Sequence, residues 1–146
     1  MSTGRTALSA VQAAVMAVLA DGSPMIAAGG VWDYVPAEPT WPFIVLGSAD
    51  EQPDDTYGAQ GRKVHLTFSV FSQYQGRAEQ FEIVNALVGL LRHVKLDLFG
   101  SPALLAGWTH LATWHTSSQA ISPFEVGNTR AGQSQVTVEV CVVETV

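Results

Sequence analysis

The chain has 146 residues, a formal net charge of −6 and a pI near 5.0, with 47% hydrophobic residues and only 14% charged. This length favours one domain that buries its core without metals or disulfides, and the single cysteine, Cys141, excludes an internal disulfide. No basic cluster exists beyond Arg62-Lys63, which argues against a protein that grips DNA or RNA by neutralising phosphates.

The charged fraction lies well below the usual value of about 25%. So few charges cover a small surface poorly, and part of that surface is expected to meet a partner or further copies of the chain. One cysteine fits a reducing compartment. The N-terminal "MSTGRTALSAVQAAVMAVLADG" has one Arg rather than a basic cluster, and Gln12 interrupts its apolar stretch. It reads as a helix of the mature protein rather than a signal peptide. No apolar run approaches the roughly 18 residues of a membrane span.

In chain order, Thr6 or Ser9 opens the first helix, and Leu8, Val11, Val15 and Val18 recur on one face. Asp21-Gly22-Ser23-Pro24 is expected to stop it. "VWDYV" alternates as a short strand, and Pro36, Pro39 and Pro42 forbid helix or central-strand pairing after it, leaving an exposed, extended bridge. "PFIVLGSA" reads as a strand buried on both faces. "DEQPDDTYGAQG", the most polar window, reads as a long hairpin loop. "RKVHLTFSVFSQY" is the clearest strand, with Val64, Leu66, Phe68 and Val70 opposite Lys63, His65, Thr67 and Ser69. Gly76 is expected to break it.

The second helix is predicted in "RAEQFEIVNALVGLLRHV". Phe81, Val84, Leu87 or Val88, Leu91 and Val94 form its buried stripe, and Arg92 and His93 suit its C-terminal dipole. "KLDLFGSPALLAG" is a connector. "WTHLATWHTSSQAIS" is a strand, "SPFEVGNTRAGQ" a glycine-containing loop, and "SQVTVEVCVVETV" the last strand with Val136, Val138, Val140 and Val142 on one face. The order α-β-β-β-α-β-β predicts an α+β two-layer sandwich, a mainly antiparallel sheet covered by two helices.

No reactive constellation emerges. His110 and His115 are five apart on one predicted strand, an odd spacing that places them on opposite faces. His65 lies on a polar strand face and His93 at a helix end. Cys141 has no histidine at a recognisable spacing and reads as a packed strand residue. The acids Asp50, Glu51, Asp54 and Asp55 lack the ligand spacing of a calcium loop, and "GAQGRK" lacks that of a phosphate loop. The tryptophans Trp32, Trp41, Trp108 and Trp114 have no basic groove beside them, which favours packing over base stacking. The chain is therefore expected to be no enzyme, with no catalytic residue, cofactor or metal.

Three stretches carry a family resemblance: "GVWDYVPAEPTWPFIVLGSA", "VHLTFSVFSQYQGRAEQFEIVNALVGLL" and "TRAGQSQVTVEV". Together they span most of the chain from Val31 onward. The chain resembles the tail-completion, or tail terminator, proteins of long-tailed bacteriophages and gene transfer agents. Two departures are Ser72-Gln73-Tyr74, where the family has a tryptophan-like residue, and the acidity of the 50–61 segment. The resemblance implies a structural virion protein. It implies a ring, usually a hexamer, on the head-proximal end of the tail tube that ends tube growth and meets the head connector. The implied partners are further copies of the chain, the tail tube protein and the head-completion protein, with assembly in the host cytoplasm and no membrane. On this reading Trp32, Tyr34 and Trp41 anchor packing or a neighbouring subunit. Asp50, Glu51, Asp54 and Asp55 face a channel that DNA crosses without being gripped. The competing readings are a small-ligand or metal-dependent α+β enzyme and a monomeric adaptor that binds a peptide along a sheet edge.

Overall fold

The computed structural model describes residues 7–26, 29–34, 37–38, 40–54, 60–73, 78–93, 108–126 and 129–144, the side chains of 21–26, 93, 121–126 and 129–131 excepted. The elements are α1 (Leu8–Ile26), β1 (Val31–Trp32), β2 (Phe43–Pro53), β3 (Gly61–Ser72), α2 (Ala78–His93), β4 (Trp108–Val126) and β5 (Thr129–Glu144). They follow the expected order and form an α+β fold. The strands make one five-stranded sheet in the order β1-β2-β3-β5-β4. All pairings are antiparallel except β1 with β2, which is parallel.

Period-two alternation builds the sheet's inner face. Val64, Leu66, Phe68 and Val70 of β3 stand opposite Val140, Val138, Val136 and Ser134 of β5, and all eight are buried. Both helices cover this face. α1 contacts β1, β2 and β3, α2 contacts β3, β4 and β5, and the helices touch each other. Val11, Val15, Val18 and Leu19 of α1 and Ile83, Val84, Leu87 and Leu91 of α2 complete the core. Each fully buried Leu or Phe contributes about 2 kcal/mol through its removal from water.

The outer face is open and largely polar. Thr67 and Thr137 share a hydroxyl hydrogen bond of 3.0 Å, and Gln133 Nε2 donates to Ser69 Oγ at 3.1 Å. Phe43 stacks on Phe71, ring centroids 5.0 Å apart, at one end of this face.

Several local expectations are corrected. α1 continues through Gly22 and Pro24 to Ile26. Pro24 removes only one backbone donor in the last turn, and the packed face upstream carries the helix past it. β1 is only two residues long, because the chain bends at Asp33 and Tyr34. The chain then returns against itself: Gly29 N–H donates to the Pro42 carbonyl at 2.7 Å and Ile44 N–H to that of Gly30 at 3.0 Å. A Cβ at Gly29 would overlap the Thr40 carbonyl, so only glycine allows this approach. Ala37, Glu38 and Thr40 are exposed, as expected of the bridge, while Val35, Pro36 and Pro39 lie outside the described residues.

The expected acidic loop is shorter than its composition suggests. β2 runs on through Asp50 and Glu51 to Pro53, paired with Arg62–His65 of β3. A register shift between Leu46 and Ser48, at Gly47, makes this possible. This bulge inserts one residue and reverses the alternation. Leu46 and then Ala49 and Glu51 face the helices, while Ser48 and Asp50 face outward.

In α2 the buried row is Gln80, Ile83, Val84, Leu87 and Leu91, and Phe81 is about half exposed, one step out of phase. Gln80 is buried because Ser134 Oγ–H donates to its Oε1 at 2.6 Å and its amide packs over Gly132. The predicted loop before the last strand is mostly strand: β4 extends to Val126 and β5 starts at Thr129. Gly76, Val94 and the connector 95–107 lie outside the described residues.

Candidate interface surfaces

The expected aromatic trio divides into two places. Trp32 is held on β1 by a hydrogen bond from its Nε1–H to the Gly29 carbonyl at 2.8 Å, and it meets Tyr34 edge-on at 5.5 Å. Trp32 and Tyr34 line an open groove of about 650 Å³ between α1 and the β1 edge, with Gln12, Met16, Val31 and Asp33 among its other walls. Trp41 is elsewhere: it packs edge-on against Phe43 at 4.9 Å and extends the Phe43–Phe71 stack.

The acids also divide. Glu51, on the helix-covered side, is nearly buried. Its Oε1 accepts the Ala7 N–H at 2.7 Å and lies 3.3 Å from Arg62 Nε. Arg62 also donates from Nη1 to the Gly61 carbonyl at 2.7 Å. The carboxylate sits at the N-terminal end of α1, where the helix dipole favours negative charge. Asp50 is exposed on the outer face, and its Oδ1 lies 3.0 Å from His65 Nδ1. Asp54 is exposed, and its N–H donates to the Gly61 carbonyl at 2.9 Å. Asp55 lies outside the described residues.

His65 bridges three strands, because its Nε2 is 3.0 Å from Glu139 Oε1 on β5. A neutral ring donates to one of these carboxylates only; the imidazolium serves both. Beyond it, Cys141 donates from Sγ to Glu139 Oε2 at 3.8 Å. Burial pushes the Cys141 thiol above its ordinary 9.0, and the Glu139 carboxylate pushes it the same way against a weaker pull from Lys63. A thiol held protonated is a poor nucleophile. His110 and His115 prove to share a face, because a register shift between His110 and Ala112 changes the parity and sets them opposite Val142 and Val138. They remain separate, with His110 bonded to Thr113 at 2.7 Å and His115 to Ser118 at 2.6 Å. Among the described residues, no group of three or more His, Cys, Asp or Glu could hold a metal ion.

Sequence reasoning missed the outer edge of β4. Leu111 and Trp114 are exposed there, while Trp108, six residues before Trp114, is buried in the core. Strict alternation would put both tryptophans on one face. The register shift between His110 and Ala112 separates them, and no residue type in "WTHLATW" announces it.

The described residues thus define a two-layer α+β subunit whose most distinctive surfaces are its two unlike sheet edges. The sequence matches the family model of tail completion protein gp17 over residues 5–137, and the chain belongs to that family. Its role is that of a structural component of a phage-type tail. Its fold is similar to that of a chain in the virion of a native gene transfer agent (GTA) particle, with a TM-score of 0.66 at 19% identity over 97% of this chain and 99% of that one. No curated protein gives a significant match.

Proposed function

We propose that this chain closes a ring, of six copies as is usual for the proteins it resembles, on the head-proximal end of a tail tube. The ring ends tube growth and presents the surface that the head connector meets. The observation that carries this reading is membership of the tail completion family over residues 5–137. The unlike edges of the sheet agree with it, because contacts between unlike surfaces repeat around a circle. The partners are then copies of the chain, the tail tube protein and the head-completion protein. Its place is the virion after assembly in the host cytoplasm, and its action is structural rather than catalytic.

Trp32, Tyr34 and Trp41 serve as contact residues in this reading. DNA crosses the ring without being gripped, in keeping with the net charge of −6. Asp50, Asp54 and Asp55 are the acids that face the channel, while Glu51 works inside the subunit to hold α1. A peptide adaptor acting through β4 is a weaker reading, since three register shifts along that strand spoil an added ladder.

Electron microscopy of the protein mixed with isolated tail tubes tests the proposal. Rings on one end of each tube are expected, with tubes of uniform length when the protein is present during assembly. Bare ends and continued growth in its presence would overturn it.

A further inference from the structure

We propose that the groove between α1 and Val31–Tyr34 receives the β4 edge of a second copy, with Leu111 and Trp114 as the inserted anchors. This pairing rests on the ring reading and specifies its contact. Leu111 is 62% and Trp114 53% exposed, and Tyr34, on the groove wall, is 59% exposed. These are three of the four large apolar side chains most exposed among the described residues, and they lie at opposite ends of the strand order. One edge therefore projects apolar groups and the other offers a concave surface lined by Met16, Val31 and Trp32. A contact between them joins unlike surfaces, and each copy keeps one of each free for the next.

Charge favours the same pairing. Copies carrying −6 repel one another, so a contact that sets acid against acid is disfavoured. The groove carries Asp33, and exposed Glu38 follows it. β4 carries no acid from Trp108 to Phe124, and Glu139, which lies across the ladder from Trp114, is engaged by His65 and Cys141. The bulges decide how the edge is used. Register shifts at 110/112 and 115/117 interrupt the main-chain pattern along β4, so side chains rather than a continued ladder make the contact. A tryptophan beside an aliphatic residue is the kind of anchor that fills such a groove.

The test places photoreactive benzoylphenylalanine at position 114 and mixes light protein with nitrogen-15-labelled protein, alone and with tail tubes. Irradiation is expected to give mixed-label adducts on peptides containing residues 8–16 or 31–34. Paired substitutions Leu111→Asp and Trp114→Glu are expected to lower ring occupancy on tubes at least tenfold, while circular dichroism and Tm stay unchanged because both sites are exposed. Adducts from 114 to residues 108–120 of another copy mean that like edges meet and overturn the pairing. Rings whose adducts fall elsewhere, or rings without adducts, overturn the pairing and leave the ring reading standing. No self-association in either condition overturns both.

Discussion

Glu51 stands where α1, β2 and β3 meet, and one carboxylate oxygen serves a backbone amide and a guanidinium there. Removing one partner of a nearly buried charge pair costs about 3 kcal/mol or more, because the other charge loses its compensation. Glu51→Gln is therefore expected to lower the unfolding free energy in urea by about 3 kcal/mol. Asp50→Asn, next in sequence but exposed, is expected to cost less than about 1 kcal/mol. Equal losses for the two would refute the division of labour between these neighbours. Cys141 gives a pH-dependent test. Its thiol is raised above 9.0 in the fold, chiefly by burial. The folded state therefore holds the proton more tightly than the unfolded chain, and this part of the stability is complete below 9.0 and lost as pH rises from there through the folded value. Thermal melts should show an alkaline decline that is smaller in Cys141→Ala, and thiol-reactive dyes should label native Cys141 more slowly than a free thiol at pH 8.

The bulges explain at the scale of elements why the sequence reveals some strands and hides others. β3 and β5 keep unbroken alternation over Val64–Val70 and Val136–Val142, and that pattern specifies both their type and their buried face. β2 and β4 carry register shifts, and beyond each shift the inward and outward residues exchange roles. The acidic half of β2 looks like a loop because Asp50, Glu51 and Gln52 are poor strand formers; pairing with β3 overrides that preference. The ladder of a hairpin is likewise invisible in "SPFEVGNTRAGQ", where glycine and proline suggest a turn. Of the interface candidates, the aromatic content of the Val31–Trp41 stretch was readable, but the exposure of Leu111 and Trp114 depends on a bulge that only the paired backbone defines. Deleting Gly47 provides the test. Removal of the extra residue lets Ser48 follow Leu46 directly in the ladder, so Ser48 and Asp50 still face outward, Ala49 and Glu51 still face the helices and Arg62 keeps its carboxylate. The deletion is therefore expected to keep cooperative unfolding and to cost less than the about 3 kcal/mol of Glu51→Gln, and loss of the Glu51–Arg62 pair in the deletion variant would refute the bulge. Gly47→Ala, whose Cβ would make only ordinary contacts of 3.6 and 3.7 Å, should cost less than about 1 kcal/mol.

For the whole molecule, pairing through the β1 and β4 edges leaves the ends of the strands free. The end where Pro53 meets Arg62 carries exposed Asp54 and the start of α1, and the other end carries the paired strand ends Val126 and Thr129. In a ring built by edge contacts these two ends point away from the neighbours, so the acidic end is available to the channel or to the next component along the tail. Its proposed use is to keep DNA phosphates from adhering as they pass. The variant Asp54→Asn with Asp55→Asn probes this without touching the carboxylate that Ala7 and Arg62 share. Tail assembly, ring formation and Tm should be unchanged, because Asp54 is exposed and its backbone bond to Gly61 does not use the side chain. DNA delivery from assembled particles should slow, and the delay should shrink as salt is raised and charge effects are screened. Normal delivery at low and high salt by the neutral variant would remove the acids from the channel and leave them a role at the joint with a neighbouring tail or head protein.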